Sequence, residues 1–294
     1  MKRGRRRRWP WLLLIMIVVA GGALGWWLNG RSSSSMERRS ISSAGVKRNF
    51  AWFTPESIAL EGGRHPLVIV LHSLGMEGEG IAFIGAWGAP AEQERFMLAF
   101  PDGFNDSWNA GVCCGASMRN GVADVTFIND LVAWARQQPN VDPNRISLAG
   151  FSNGGMLALA VACNPPDGLV SVATSGSLPT AGCTPELPPD VMLITSSSDP
   201  IVPPDGGFGT LARQDVSGPF PSLDDSVRLM SESRGCGKAR PGEAPFPGTF
   251  TTRTCADDAR LDTAYWPQLG HNYDGRVTEL MVWWLGLGSP AGRN

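Results

Sequence analysis

The sequence predicts an α/β fold in which a mostly parallel sheet is covered by helices on both faces. Short apolar runs typical of buried strands alternate with longer amphipathic segments, and this alternation favours parallel strands joined by helices. The 294 residues are 43% hydrophobic and 18% charged, which suits one large globular domain with an appendage. In such sheets the functional site forms where the strands end.

The expected elements follow the chain in a simple order. We predict strands at residues 47–53, 66–71, 96–100, 146–149, 169–174, 191–195 and 260–265. We predict helices at residues 124–138, 153–163, 223–234 and 274–285. In the last helix an apolar stripe at the i, i+3, i+4 and i+7 positions is suited to docking on a sheet: Val277, Leu280, Met281 and Trp284.

Residues 1–28 combine a cluster of Lys and Arg with an uncharged run from Trp9 to Leu28. A helix of this length would span about 30 Å, the thickness of a bilayer core. Tryptophans at both ends of the run favour a retained transmembrane anchor, and a cleaved signal peptide is the alternative. In either case we expect the basic cluster to stay cytoplasmic and the domain to be extracytoplasmic. The domain would be anchored in the membrane through this segment, or secreted if the segment is cleaved.

Residues 29–46 are polar and small, and we expect a flexible stalk that leads into a globular domain at residues 47–294. Residues 40–294 carry 16 Lys and Arg against 26 Asp and Glu, a net charge of about −10. This charge argues against nucleic acid as a partner. The oligomeric state is left open.

Six cysteines lie in the part expected to be exported, and an even number in an oxidising compartment indicates disulfide bonds. Because each pair flanks one strand–helix segment, we predict Cys163–Cys183 and Cys236–Cys255 bonds. Cys113 and Cys114 are left to a vicinal bond or to free thiols. Zinc is disfavoured because adjacent cysteines are not a chelating pair and only three histidines exist. We expect no metal or cofactor.

The segment Gly150-Phe-Ser152-Asn-Gly154 carries the G-x-S-x-G pattern of a nucleophile elbow. The pattern alone is weak evidence, since chance would supply roughly 0.4 matches in such a chain. A strand-like run precedes it and an alanine- and leucine-rich segment follows, which is the context an elbow requires. The alternative interpretation is a glycine-rich turn with an incidental serine. A helix that begins at Asn153 would aim its free N–H groups at whatever Ser152 attacks.

Three histidines compete for the role of base. His65 precedes a strand, at the wrong edge of the sheet, and His72 ends a strand at a position that suits an oxyanion loop better. His271 follows the last strand, in a loop that can reach a serine. We therefore predict His271 as the base, with a surface loop histidine as the plainer alternative.

The acid should end a strand between the serine and the base. Asp199 follows the strand at 191–195, and Asp205, in a turn, is the second candidate. The order Ser152, Asp199, His271 is that of the α/β-hydrolases. In this arrangement the histidine takes the serine proton, and the aspartate holds the imidazole tautomer.

Two further groups of residues complete the expected site. The tetrahedral oxyanion needs two donors, for which we predict the backbone N–H groups of Asn153 and Leu74. Loops after the strands also bear Trp108 and Trp266, and their position leads us to expect them in the lining of the substrate pocket. Aromatic walls of this kind favour flat or apolar groups.

Several motifs together resemble the polyhydroxybutyrate depolymerase-type esterases, which are close to feruloyl and acetylxylan esterases. The resemblance covers about residues 48–286 and is carried by these segments: Pro66-Leu-Val-Ile-Val-Leu-His72, Phe100-Pro-Asp-Gly103, Ser107-Trp-Asn-Ala-Gly-Val-Cys-Cys-Gly115, Gly150-Phe-Ser-Asn-Gly-Gly-Met156, Ser198-Asp-Pro-Ile-Val-Pro203, Gly235-Cys236 and Gly270-His271. It implies the α/β-hydrolase fold, the triad Ser152, Asp199 and His271, and an oxyanion donor after His72.

The sequence departs from this family at four places. Ser73 stands where the family usually has glycine, and Thr195-Ser196 replaces a usual His-Gly pair. Ala123-Asp124-Val125 stands where two aspartates are usual, and Asn272-Tyr273 where Thr-Trp is usual. None of these changes removes a catalytic side chain. Because Ser73 and Tyr273 are expected to border the acyl and leaving-group pockets, the substrate class is left open.

These observations predict an exported serine carboxylesterase that acts through an acyl-enzyme. The expected substrates are short-chain, hydroxyalkanoate, feruloyl or acetyl esters. Two alternatives stay open: a catalytically silent extracytoplasmic binding module, and an acyltransferase or peptidase on the same fold.

Overall fold

The computed structural model of the chain describes residues 36–180, 189–210, 215–216 and 218–287. The predicted membrane or signal segment, residues 1–28, lies outside these residues. Among the helices of the described ranges, none is both long and apolar enough to cross a membrane.

Ten strands of the described residues form one mixed sheet in the order β1-β2-β4-β3-β5-β6-β7-β10-β9-β8. The strands are β1 Met36–Ser43, β2 Val46–Phe53, β3 His65–Leu71, β4 Met97–Pro101, β5 Val141–Phe151, β6 Leu169–Ser175, β7 Asp190–Thr195, β8 Arg240–Gly242, β9 Thr249–Thr254 and β10 Arg260–Tyr265. From β4 to β10 in that order, neighbouring strands are parallel. The antiparallel pairs lie at the two margins. The predicted mostly parallel sheet is confirmed.

Helices cover both faces of this sheet. They are α1 Glu56–Glu61, α2 Gly78–Ile84, α3 Gly88–Glu94, α4 Gly115–Arg119, α5 Asp124–Ala135, α6 Asn153–Val161, α7 Leu223–Ser233 and α8 Gly275–Leu285. Buried side chains of α5, α6 and α7 form one core with the sheet, and those of α2, α3 and α8 form a second core on the other face. The predicted stripe of α8 lies wholly in the second core: Val277, Leu280, Met281 and Trp284 are each at most 1% exposed.

The expected stalk at residues 29–46 is wrong from Met36 onward. Met36–Ser43 form β1, which pairs antiparallel with β2 from Met36 opposite Phe53 to Ser43 opposite Val46. Most side chains of β1 are exposed, so the strand lacks the apolar alternation by which a half-buried strand is recognised. Backbone hydrogen bonds to β2, rather than burial, define this margin of the sheet.

Two disulfide bonds join cysteines of the described residues. Cys236 is bonded to Cys255, as predicted. Cys113 is bonded to its neighbour Cys114, which selects the vicinal bond of the two alternatives. The other predicted bond includes Cys183, which lies outside the described residues.

Candidate active site

Ser152 occupies a sharp turn between the end of β5 and the start of α6. Its backbone has φ 53° and ψ −122°, a region that side chains other than glycine adopt only at a cost of about 1–3 kcal/mol. The turn is held from both sides: the Ser152 N–H donates to the Ser175 carbonyl over 2.9 Å, and the Ser177 hydroxyl donates to the Ser152 carbonyl over 2.9 Å. The G-x-S-x-G segment therefore forms the strained strand–helix turn that the pattern predicts.

The glycines around Ser152 are required by close backbone contacts. A Cβ atom on Gly154 would lie 2.3 Å from the Leu71 carbonyl oxygen and 2.4 Å from that of His72. A Cβ on Gly150 would lie 2.7 Å from backbone atoms of Gly154. The missing side chains let the start of α6 pack directly against the end of β3. The loop that follows His72 thereby lies beside the turn.

Three loops at the carboxyl ends of the strands bring the predicted catalytic side chains together. His271 Nε2 is 2.9 Å from Ser152 Oγ, and His271 Nδ1 is 2.8 Å from Asp199 Oδ2. An ionised carboxylate only accepts hydrogen bonds, so Nδ1 carries the proton and Nε2 is free to accept from the serine hydroxyl. The three side chains form one directional chain of hydrogen bonds.

Asp199 is fixed by its own loop. It is 4% exposed, and its Oδ1 accepts the N–H groups of Ile201 and Val202, each over 2.9 Å. The other oxygen is thereby left for His271. Asp205, the second candidate, is exposed, whereas Asp199 makes the contact with the imidazole.

The imidazole of His271 lies against two neighbours that sequence reasoning did not single out. The ring of Phe151 lies 5.0 Å from it, centroid to centroid. On Gly176, which has φ 58°, an added Cβ would lie 3.1 Å from His271 Cε1. The glycine at the end of β6 therefore leaves room for the ring that bridges Ser152 and Asp199.

The loop after β3 is held by His72. The His72 Nε2 atom accepts the Gly103 N–H over 2.9 Å, so Nδ1 carries the ring proton and donates to the Ser73 carbonyl over 2.8 Å. Burial lowers the pKa of His72 below its ordinary value, which keeps the ring neutral in this arrangement. Because a trans peptide group is planar, its C=O and N–H point in opposite directions. The Leu74 N–H therefore points away from His72.

Trp108 was expected in the substrate pocket, and the structure corrects this. The side chain is fully buried, with its ring 4.7 Å from that of His72 and 6.4 Å from that of Phe127. The Asn153 side chain accepts the Trp108 N–H over 2.7 Å and donates to the Trp108 carbonyl over 2.9 Å. Trp108 therefore packs beneath the surface against the turn of Ser152 and Asn153, and it lines no open pocket.

Trp266 and Tyr273 also belong to the core rather than to a pocket. Trp266 is 5% exposed, and its ring contacts Phe246 and the guanidinium of Arg276. Burial raises the pKa of Tyr273, and its hydroxyl lies against Met281 and Thr278. Aromatic residues after strands fit a pocket wall and a core equally well, so the sequence did not distinguish the two.

Within the described residues, no group of three or more His, Cys, Asp or Glu side chains is placed to hold a metal ion.

The comparisons with known proteins agree with this geometry. No family model matches the sequence. The chain is 33% identical over 218 residues to "Putative esterase NocK" of Nocardia uniformis subsp. tsuyamanensis, a match that covers 69% of this chain and 63% of that protein. It is 28% identical over 150 residues to feruloyl esterase B of Piromyces equi, covering 48% of this chain and 27% of that protein. The chain thus spans less than two thirds of the length of these relatives.

Solved structures show the fold. The acetyl xylan esterase from Aspergillus awamori superposes with a TM-score of 0.59 over 85% of this chain and 99% of that chain, at 14% sequence identity. An S-formylglutathione hydrolase from Agrobacterium tumefaciens superposes with a TM-score of 0.51 over 87% of this chain and 95% of that chain, also at 14% identity. The fold is that of the α/β-hydrolases.

The sequence relatives described above carry the names of esterases, which agrees with the resemblance that the motifs predict. The polyhydroxybutyrate depolymerase part of that resemblance is not supported.

The lowered pKa of His72 predicts a pH-dependent contribution to stability. Above the ordinary histidine pKa of about 6.5 both folded and unfolded chains hold this ring neutral. As the pH falls below that value, the unfolded chain binds a proton that folded His72 resists. The free energy of unfolding should then fall by up to about 1.4 kcal/mol per pH unit until the folded pKa is reached.

Two variants test this contribution by denaturant unfolding between pH 7 and pH 5. Neither His72→Gln nor His72→Asn can take up the proton, and both should lose this part of the pH dependence relative to wild type. A decline below pH 6.5 that is as steep in both variants as in wild type would show that His72 does not contribute it.

Proposed function

We propose that the chain hydrolyses carboxylic esters through an acyl-enzyme formed on Ser152. The observation that carries the proposal is the unbroken hydrogen-bond chain from Ser152 Oγ through His271 to Asp199 Oδ2. The strained turn of Ser152 and the helix that begins at Asn153 supply the surroundings that such a nucleophile requires.

The reaction follows from the roles that these atoms can take. Ser152 Oγ attacks the acyl carbon as His271 Nε2 accepts the hydroxyl proton, and Asp199 stabilises the imidazolium that forms. His271 then gives the proton to the leaving alcohol oxygen. A water molecule repeats the attack on the acyl-enzyme, which releases the acid and restores Ser152.

The negative oxygen of the tetrahedral intermediate requires N–H donors. The Asn153 N–H lies at the free start of α6, where helix N–H groups and the helix dipole favour negative charge. The Leu74 N–H, turned away from His72, is the second proposed donor. Each such donor is worth about 3–4 kcal/mol of transition-state stabilisation.

The proposed substrates are neutral esters with short or flat acyl groups. One sequence relative is named a feruloyl esterase and another a putative esterase. One structural neighbour is named an acetyl xylan esterase. A net charge of about −10 over residues 40–294 disfavours polyanionic substrates. Acetyl and feruloyl esters of sugars are therefore the first natural candidates, ahead of hydroxyalkanoate oligomers.

Removal of the nucleophile gives the first test of this proposal. Ser152→Ala should lower kcat/KM on acetyl and butyryl esters by at least about 10⁴-fold, because the change removes the hydroxyl that carries the acyl intermediate. The free energy of unfolding should stay within about 1 kcal/mol of wild type. The exposed Ser42 provides the matched control, and Ser42→Ala should leave both values unchanged.

The same assay separates the alternatives. Hydrolysis of amides in preference to esters would favour a peptidase, and transfer to an added alcohol in preference to water would favour an acyltransferase. A wild-type chain that turns over no ester, amide or acyl acceptor would favour a binding module. Full activity in Ser152→Ala would overturn the assignment of the nucleophile.

We also propose that the domain is exported. The basic cluster and the uncharged run within residues 1–28 favour an anchor or signal segment. Disulfide bonds such as Cys236–Cys255 persist in oxidising compartments.

Peptide mapping without reduction tests the export of the domain. In protein isolated from its native cells under alkylating conditions, Cys236 and Cys255 should be recovered in one linked peptide pair. Alkylated free thiols at both positions would contradict export.

A further inference from the structure

Three consecutive serines connect the loop of the catalytic acid with the loop of the base. Ser196, Ser197 and Ser198 stand between β7 and Asp199, and their hydroxyls lie 3.0, 3.3 and 2.9 Å from the carbonyl oxygen of Pro267. Pro267 lies in the short segment that leads from β10 to His271. One carbonyl on the base loop is therefore faced by three hydroxyls of the acid loop.

Ser196 differs from the other two in burial and in number of contacts. It is 1% exposed, whereas Ser197 and Ser198 are exposed. Besides donating to Pro267, Ser196 Oγ accepts the Gly270 N–H over 3.0 Å and the Ser198 N–H over 3.3 Å, and it lies 3.1 Å from Ser198 Oγ. A hydroxyl has one donor and two acceptor positions, so these contacts leave none of them unused.

The residues joined by these contacts lie close along the chain to Asp199 and His271. Ser196 is three residues before Asp199, and Gly270 directly precedes His271. One buried hydroxyl thus fixes both ends of the segment 267–270 relative to the acid loop. These contacts hold the loop of Asp199 and the loop of His271 at the separation at which His271 Nδ1 lies 2.8 Å from Asp199 Oδ2.

We propose that Ser196 is a positioning residue that holds His271 in line between Asp199 and Ser152. It touches neither the reacting serine nor the imidazole, and it acts through the backbone of the base loop. The inference rests on the proposed function. A loss of about 1 Å in alignment can cost about 100-fold in rate, so a small loosening of this loop should be measurable.

The test compares full-length wild type with Ser196→Ala and Ser197→Ala. The second variant is the matched control, because Ser197 contacts the same carbonyl from an exposed position. For Ser196→Ala we expect kcat on an acetyl ester to fall on the order of 10- to 100-fold, with KM within about twofold of wild type. Labelling of Ser152 by a fluorophosphonate should slow by a similar factor. Ser197→Ala should stay within about twofold of wild type in both assays.

Proton NMR supplies a readout that loss of folded protein alone would not give. The proton on His271 Nδ1, held by Asp199, should give a downfield signal in wild type and in Ser197→Ala, and should broaden or vanish in Ser196→Ala at equal folded fraction. If Ser196→Ala does not fold, Ser196→Cys replaces it, since a thiol keeps the shape but is a weak hydrogen-bonding group.

The outcomes distinguish the two proposals. An inactive wild type that shows the NMR difference contradicts the proposed function and supports the role of Ser196. An active wild type with kcat and the NMR signal unchanged in Ser196→Ala overturns the role of Ser196 and leaves the proposed function intact. Equal losses in Ser196→Ala and Ser197→Ala also overturn it, because the effect would then not depend on the buried hydroxyl.

Discussion

The close packing of the start of α6 against the end of β3 is the constraint on which the site depends. Gly154 is in contact with the carbonyls of Leu71 and His72, and a single added methyl group would collide with both. This contact accompanies the reversal of the chain at Ser152, whose φ is 53°, and it sets the loop after β3 beside the serine. The strain at Ser152 is offset by the surrounding backbone, which over-determines its conformation.

The loops around Ser152 are fixed by hydrogen bonds and ring contacts with one another. Asn153 fixes the backbone of Trp108, and the Trp108 ring in turn packs against His72. On the opposite side, Ser196 joins the acid loop to the base loop. The candidate triad is thus supported by buried polar contacts of the backbone, as rigid positioning of a catalytic group requires.

The sequence predicted the sheet and the contacts among Ser152, Asp199 and His271 because both leave local signals. Apolar runs mark the buried strands, and a serine, an aspartate and a histidine stand where three of these strands end. It did not predict β1, whose side chains are mostly exposed, and it placed Trp108 in a pocket, because burial depends on contacts with Phe127 and His72 that are distant in sequence. The unusual Thr195-Ser196 pair was visible in the sequence, but the contacts of Ser196 with Pro267 and Gly270 were not.

Reaction with an aryl carbamate would show whether Ser152 forms a covalent intermediate, because a carbamoyl group leaves a serine far more slowly than an acyl group. We expect a burst of one aryl alcohol per active chain, together with a carbamoyl group that peptide mass spectrometry locates on Ser152. Steady turnover of esters without such a burst, or a carbamoyl group on another residue, would contradict it.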